Sequence, residues 1–593
     1  MEYLIWDVII MKLFRLIIKS LKSSSFMIIL YVIFSLLVAY LTTFMPVIIQ
    51  YFLDVLLKQQ VNNKIIVFFI KLFDGKLSFI PIMCILLIIV EGIIIFSTYL
   101  RTIIKNKIIQ EFQYEIKFKL FNHIQNLTYH DFYKSSLADL VQNSTDDVNN
   151  IVGFIEKQLT FILDLLLIII FAIGQLSNLN LYLSIVMINA IAIIIACSIY
   201  YFKKSRAIID DDLKSQRNLY EKLNDNYSNI KFMKINNLED KELQNFNIVN
   251  NNNYEINRKK VVIDSLYKTF TGGVVKTQTP VILLISSILF SKKLITVGSI
   301  YITINYSNKI TSSFIDLSEI LETFNLCIAS CKRLNQLLSF DLETDDNKDK
   351  NIVINDTTIS FNNVNIKVNG TTILKNLNFM INPNEKVMII GSTGSGKTTL
   401  INLIPRFYDL TDGNIFINGV DYKEYKLNEL RKNISYVFQE PVILNMSIKE
   451  NLNYGLENIS FEEIRKICIK LGLDNKIMSL PNKYDTIINS KTDLLSFGEK
   501  QLLSYARAIL KNGDIVILDE VTSNLDLEFE QNILSANKEL LKGKISFIIA
   551  HRLNTIKDAD LIIFIENKHI IEAGTHEELL KLNGKYSKLF LTK

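Results

Sequence analysis

At 593 residues, with 49% hydrophobic side chains and a mean hydropathy of +0.24, the chain is too long for one ordinary core and too apolar for an ordinary soluble protein. A formal net charge of +5 on dispersed basic residues excludes the concentrated positive field that nucleic acid binding requires. Five cysteines, Cys84, Cys197, Cys327, Cys331 and Cys468, have neither metal-ligand nor disulfide-framework spacing, so they read as reduced, mostly buried thiols, with Cys327 and Cys331 on one helical face.

In chain order, residues 13–22 form a basic, amphipathic lead-in, and Glu2 and Asp7 ahead of it do not suit a signal peptide. Residues 26–49 are the first stretch able to cross about 30 Å of hydrocarbon at about 1.5 Å per residue. Lys12, Arg15, Lys19 and Lys22 assign the N-terminus to the cytosol-like side. Further spans read 79–100, 159–176, 181–202, 270–290 and, more weakly, 299–324. Six crossings return the chain to its starting side. The connections 101–158 and 203–269 are long, polar and helical in pattern, so the spanning helices are expected to continue beyond the bilayer and turn there. Residues 146–150 and 228–234 are the candidate turning points.

An ionisable side chain facing lipid costs about 2.5–3.5 kcal/mol on insertion scales, so Glu91, Asp164, Lys276 and Lys309 are expected to face protein or water. The sixth span carries Asn305, Tyr306, Ser307, Asn308, Lys309, Thr311, Ser312 and Ser313, and the fifth adds Thr277, Gln278 and Thr279. A water-filled central cavity is the functional expectation, and one containing Lys276 and Lys309 suits an anionic or peptide-like solute. His123 and His130 read as surface or packing residues. Residues 1–340 thus form a membrane domain, and the charged segment 341–351 a linker.

The remainder, 352–593, is organised around GSTGSGKT at residues 391–398, which fits G-x-x-x-x-G-K-[ST] throughout. In such a loop the backbone N–H groups of Gly391, Ser392, Thr393, Gly394, Ser395 and Gly396 wrap a polyphosphate, Lys397 reaches its outer phosphates, and Thr398 holds Mg²⁺, with Thr399 opening the helix. An apolar run at 515–518 ends in Asp519 and Glu520, suited to the Mg²⁺ shell and to orienting a water, respectively. LSFGEKQ at 495–501 places Ser496 and Gly498 at a second helix N-terminus, a second anion site. Two sites for one outer phosphate suggest two copies meeting around it. Gln439 and His551 each follow a strand-like run and complete the set as sensors of the phosphate and the metal.

The ordered series GSTGSGKT, Phe438-Gln439, LSFGEKQ, ILDE, SNLD at 523–526 and AHRL at 550–553 resembles the ATP-binding cassette (ABC) exporters in their half-transporter layout, over nearly the whole chain. The resemblance implies an all-α six-helix transmembrane domain of exporter type fused to an α/β P-loop nucleotide-binding domain. It also implies a multi-pass protein of a mitochondria-type organelle membrane or a bacterial-type plasma membrane, surrounded by lipid and moving a solute. A head-to-tail dimer with a second half-transporter, most simply a homodimer, would sandwich two ATP and their Mg²⁺ between the phosphate loop of one subunit and Ser496 and Gly498 of the other. Asp526 would help couple the sites, Gln439 would join Thr398 and Asp519 around the metal, and Glu520 and His551 would serve hydrolysis.

Three departures from the family pattern stand out. Val368 occupies the place of an adenine-stacking aromatic, Phe497 and Glu499 replace the usual Gly and Gln, and Asn489-Ser490-Lys491-Thr492 lacks the usual Glu ahead of the signature. The expected function is ATP-driven export by a dimer; the alternative is a poorly hydrolysing regulatory half of a heterodimer. A weaker resemblance, through Gly498-Glu499-Lys500-Gln501 and residues 226–232, links the chain to the mitochondria-type exporters of iron–sulfur assembly.

Overall fold

The computed structural model describes residues 25–57, 76–134, 140, 143–315, 317–343, 357–368, 370–456, 459–489, 494–519, 527–549 and 557–591. They form two compact units, one of residues 1–127 and 135–341, the other of residues 128–134 and 342–593.

The first unit is helical. Helix α1 is Ser25–Leu56, apolar along most of its length with Pro46 inside it, and α2 is Lys76–Gln125, whose apolar first half continues without a break into polar sequence. The chain turns through α3, Tyr129–Lys134, which belongs to the second unit. A π-helical segment, Asn143–Asp147, then leads through Val148–Gly153 and Phe154–Leu159 into α4, Thr160–Leu179. Asn180, in extended conformation, caps α5, Leu181–Ser228, by accepting from the Tyr182 N–H at 2.9 Å. After the short α6, Ile230–Ile235, come α7, Glu239–Ser291, α8, Val297–Ile315, and α9, Leu317–Leu337.

The structure relocates one expected turning point. Residues 146–150 continue a helix, and the first connection turns instead at α3; the second turns at α6, as its spacing suggests. Asp147 lies inside: it is 0% exposed and takes two hydrogen bonds from Arg333, one of 2.8 Å from Nε. Its charge is consumed by packing of α9, so it does not mark a solvated turn.

Among the described residues five helices are long and apolar enough to cross a membrane. The sixth expected span, α8, is too polar to meet that measure, and its polar groups divide between two surroundings. Thr303, Tyr306 and Ser307 are fully buried, with the Tyr306 hydroxyl donating to the Thr43 carbonyl of α1, whereas Asn308 is exposed. Tyr306 and Ser307 therefore pack within protein and do not line the expected cavity; the side chains of Thr311, Ser312 and Ser313 lie outside the described residues. Lys309 donates to the Thr42 carbonyl at 3.4 Å, and Asp164 pairs with Arg101 at 2.8 Å, both facing protein as charge burial requires. Asp54 accepts from the Thr296 hydroxyl and the Gly298 N–H at the start of α8. Gly298 permits this approach, because a Cβ there would lie 2.4 Å from the Gln50 carbonyl oxygen. His123 Nε2 lies 2.9 Å from the Leu337 carbonyl, a packing role.

The second unit is α/β. Strands β1, Ile359–Val368, and β2, Thr371–Ile381, join β4, Asp412–Ile417, and β5, Val420–Asp421, in an antiparallel sheet ordered β2-β1-β4-β5. A six-stranded sheet contains β3, Lys386–Gly391, β6, Ile434–Val437, β9, Ile515–Asp519, β10, Ile545–Ile549, β11, Leu561–Glu566, and β12, His569–Gly574. Its order is β12-β11-β3-β10-β9-β6, and all neighbours are parallel except β11 and β12. A two-stranded pair, β7, Met446–Ser447, and β8, Ile487–Ile488, stands apart.

Continuous apolar runs form the central strands because both faces of the large sheet are covered. Along β3, Val387 and Ile389 enter the core shared with the antiparallel sheet, whereas Met388 and Ile390 enter a second core with Tyr586 and Leu579. Along β9, Ile515 and Ile517 join the first core, and Val516 and Leu518 pack against helices on the other face. Parallel pairing through β10 sets the C-terminal ends of β3 and β9 at one edge of the sheet, where open α/β sheets bind ligands.

Candidate functional site

The phosphate loop leaves β3 at Gly391 and enters the helix α10, Lys397–Ile401. Its glycines answer to geometry. A Cβ on Gly391 would lie 2.3 Å from the Ile565 carbonyl oxygen of β11, and Gly394 and Gly396 have φ of +78° and +102°. The loop closes through the Ser395 N–H, which donates to the Ser392 carbonyl at 3.1 Å. Lys397 is 6% exposed, and its ammonium donates to the Gly391 and Ser392 carbonyls at 3.0 and 3.1 Å. It is thus folded over the mouth of its own loop. Ser395 Oγ is buried without a hydrogen-bond partner among the described residues. Ser392, Thr393, Gly394 and Thr398 are exposed and Thr399 is half-buried. A buried lysine held by carbonyls, a hydroxyl lacking a partner and a cradle that a Cβ would fill suit an anionic polyphosphate.

Asp519 closes β9 and is buried; β10 aligns it, through Ile549, with Ile389, two residues before the loop. The carboxylate and the phosphate loop therefore leave the same edge of the sheet, a donor set of hard oxygens suited to Mg²⁺ beside Thr398. Gln439 follows β6 and is exposed; the preceding Phe438 stacks on Tyr436 with ring centroids 4.3 Å apart. The Tyr436 hydroxyl donates to Asn402 Oδ1 at 3.0 Å, and burial raises its pKa, which keeps the donor protonated. Glu520, Asp526 and His551 lie outside the described residues.

The second anion element is the start of α13, Phe497–Lys511, once α11, Ile448–Asn453, and α12, Phe461–Lys470, are counted. Ser496 is its N-cap, accepting from the Glu499 N–H at 3.2 Å, while the Ser496 N–H donates to Glu499 Oε2 at 2.7 Å. Gly498 is buried in the first turn. Glu499 is thus the reciprocal partner of a capping box, a signal that the S-x-x-E spacing already carries. Residues 490–493, part of the altered stretch ahead of it, are outside the described residues. Val368 ends β1 half-buried against the core, and offers no ring face to an adenine.

Three features of this unit escaped the sequence reading. Gln501 is fully buried and its Nε2 donates to the Phe438 carbonyl at 3.2 Å, tying α13 to the segment that bears Gln439. Tyr129 of α3 stacks on Phe407 at 4.9 Å and meets Tyr408 edge-on at 5.5 Å. Arg431 lies over the same Phe407 ring, 5.2 Å from its centroid, and binds both carboxylate oxygens of Glu343 at 2.7 Å. Only the i, i+3 capping pattern had a local signature; these contacts join residues far apart in the chain. Beside Phe407 and Phe438 lies a groove of about 390 Å³ whose walls include Tyr436, Val442, Arg507 and Lys511.

Comparison with known proteins agrees with this geometry. Residues 28–314 match the model of the ABC transporter transmembrane region, and residues 374–523 that of the ABC transporter. The chain is 30% identical to an ATP-dependent lipid A-core flippase of Syntrophus aciditrophicus (strain SB), over 86% of this chain and 85% of that one. It is 32% identical to a putative multidrug export ATP-binding/permease protein of Staphylococcus aureus (strain bovine RF122 / ET3-1), over 83% and 85% of the two chains. A solved structure of a bacterial Atm1-family ABC exporter with ATP bound superposes with a TM-score of 0.81 at 21% identity, covering 95% of this chain and 98% of that one; at that identity the likeness bears on the fold alone.

Proposed function

This chain belongs to the ABC exporters, and from that premise we propose that it exports a solute as a dimer, hydrolysing ATP at two sites shared between subunits. It is an integral multi-pass membrane protein, a translocase whose ATPase is coupled to transport. We take residues 1–340 as the transmembrane domain, 341–351 as the linker and 352–593 as the nucleotide-binding domain.

The observation that carries the site assignment is the buried Lys397 ammonium held by carbonyls of its own loop, with the Ser395 hydroxyl lacking a partner beside it. In this reading Lys397 and the N–H groups of residues 391–399 bind the phosphates of ATP. Thr398, Asp519 and Gln439 hold Mg²⁺, which when bound neutralises charge developing on the phosphates. Glu520 orients and deprotonates the attacking water, and His551 contacts the outer phosphate. Ser496, Gly498 and Asp526 of a second copy complete each site. Helix α6 carries Ile230, Phe232 and Ile235 as exposed, apolar side chains, which in this reading are covered in the dimer. Closure of the two nucleotide domains on ATP, and reopening after cleavage, would switch the membrane domain between two accesses. Such a switch from 1:99 to 99:1 requires about 5.5 kcal/mol of differential binding.

For the solute we propose an amphipathic molecule. The relatives named for a lipid and for multidrug export support that class, and Lys309 with Thr279 and Asn308, 3.4 Å apart across the fifth and sixth spans, supplies polar groups at depth.

The test is hydrolysis by purified protein in lipid. Glu520→Gln should lower turnover by roughly 100-fold or more while ATP binding persists, as removal of a general base does. Equal rates in the two proteins would overturn the export engine in favour of a regulatory, poorly hydrolysing half, the reading that the short Val368 side chain favours.

A further inference from the structure

Apart from the nucleotide site and the polar residues of the sixth span, the membrane unit holds a cavity of about 590 Å³ between α5 and α7. Its walls include Tyr200 and Lys204 from α5 and Ile263, Leu266, Thr269 and Phe270 from α7. The volume is within the range of about 300–1,000 Å³ typical of small-molecule sites. The floor is fixed. Tyr201 stacks on Tyr267 with centroids 4.4 Å apart, the Tyr201 hydroxyl donates to Asp264 at 2.5 Å, and Tyr267 and Ser198 share a hydrogen bond of 2.8 Å.

Position and charge identify the occupant. The apolar run of α5 ends at Phe202, so Lys203 and Lys204 stand where hydrocarbon gives way to head groups. Both lysines are exposed, and among the described residues neither enters an ion pair, whereas Lys260, on the part of α7 farther from the bilayer, is already taken by Asp212 at 3.1 Å. Asp264, the acidic group at the floor, is engaged by Tyr201. An apolar, tyrosine-framed groove with unpaired cations at the head-group level is complementary to a phosphate on an acyl chain.

We propose that this cavity binds one anionic phospholipid of the ATP-side leaflet, its phosphate on Lys204 and its chain against Ile263, Leu266 and Phe270. The rim speaks against a helix of a second copy as the occupant, since an apolar helix would leave these lysines uncompensated.

Full-length protein in nanodiscs of phosphatidylcholine, with or without phosphatidylglycerol, supplies the test. Cys197 lies in the cavity wall and is half-buried, so its alkylation by N-ethylmaleimide, followed peptide by peptide, reports occupancy. Phosphatidylglycerol should slow alkylation at Cys197, and native mass spectrometry should retain the lipid. In the Lys204→Gln variant the midpoint of protection should shift ~5-fold to higher phosphatidylglycerol, the loss expected from one lysine near a membrane surface. The basal ATPase rate serves as the check that this variant is folded. Equal protection in both lipids, or in both proteins, would overturn the proposal. Protection that persists in lipid-free detergent would overturn it in favour of a second copy covering the groove.

Discussion

If residues 128–134 belong energetically to the nucleotide-binding unit, the bond is the ring of Tyr129. It makes one stacked contact with Phe407 and one edge-on contact with Tyr408, at 4.9 and 5.5 Å. Each such pair contributes about 0.5–1.5 kcal/mol beyond area burial, so Tyr129→Ala should weaken the docking of α3 by about 1–3 kcal/mol, a factor of roughly 5 to 150 in local opening. Hydrogen exchange of the full-length protein reads this directly. The Phe132 N–H donates to the Thr128 carbonyl at 2.9 Å and should exchange faster by that factor, with amides of β9 unchanged. Tyr129→Phe keeps both ring contacts and should leave exchange near the parent value. An acceleration below about twofold in the alanine variant, or an equal effect of phenylalanine, would refute the assignment. Glu343 enters the same account, because its paired hydrogen bonds hold the Arg431 guanidinium over Phe407.

Restoring an aromatic by Val368→Tyr should tighten ATP binding roughly 10- to 100-fold, since stacking on a base is worth about 1–3 kcal/mol; titration with a fluorescent ATP analogue checks it, and unchanged affinity would mean that another group holds the base. Gly391→Ala should abolish nucleotide binding and lower the unfolding temperature, because the new Cβ would meet the Ile565 carbonyl at 2.3 Å and neither β3 nor β11 can yield inside the sheet. The capping box at the start of α12 should make stability acid-sensitive. Its backbone hydrogen bond to Ser460 holds the Glu463 carboxyl below the ordinary value of 4.5, so the folded pKa is the lower one. The stabilisation is then present above about pH 4.5 and is lost as pH falls through the folded value. Glu463→Gln should flatten that acid limb in thermal melts, and an unchanged limb would exclude the cap as its source.

What could be read from the chain and what could not follows from the range of the interactions concerned. The phosphate loop was legible because its demands are local: left-handed backbone at Gly394 and Gly396, no Cβ at Gly391, and a lysine one step beyond. Five spans were legible from hydropathy alone. The turn at α3 was not, because six residues carry too little periodicity and their meaning resides in Phe407 and Tyr408, far along the chain. Conversely, residues 146–150 resemble a turn in composition, yet Asp147 is buried against Arg333 and the helix continues. In the sixth span the polar side chains were visible but not their facing, so Tyr306 and Ser307 read as cavity lining when they pack inside.

The altered signature shows how a local rule can replace a family preference without removing the site. Glu499 stands where glutamine is usual, and its carboxylate accepts the Ser496 N–H at 2.7 Å while Lys476 approaches its other oxygen at 3.9 Å. The Ser496 hydroxyl accepts from the Glu499 N–H, which occupies one of its two lone pairs and leaves its proton free to donate. In the proposed dimer a phosphate arriving from a second subunit would need that proton and the backbone N–H groups of the first turn, and the capping box would fix both before it arrived. The carboxylate adds a negative charge beside the same anion, partly offset by Lys476. Phosphate recognition at this end should therefore be preorganised in geometry but weaker in charge than in a glutamine-bearing relative. Glu499→Gln should accordingly tighten ATP-dependent dimerisation without changing hydrolysis per closed dimer, and weakened dimerisation in light scattering would show that the cap matters more than the charge.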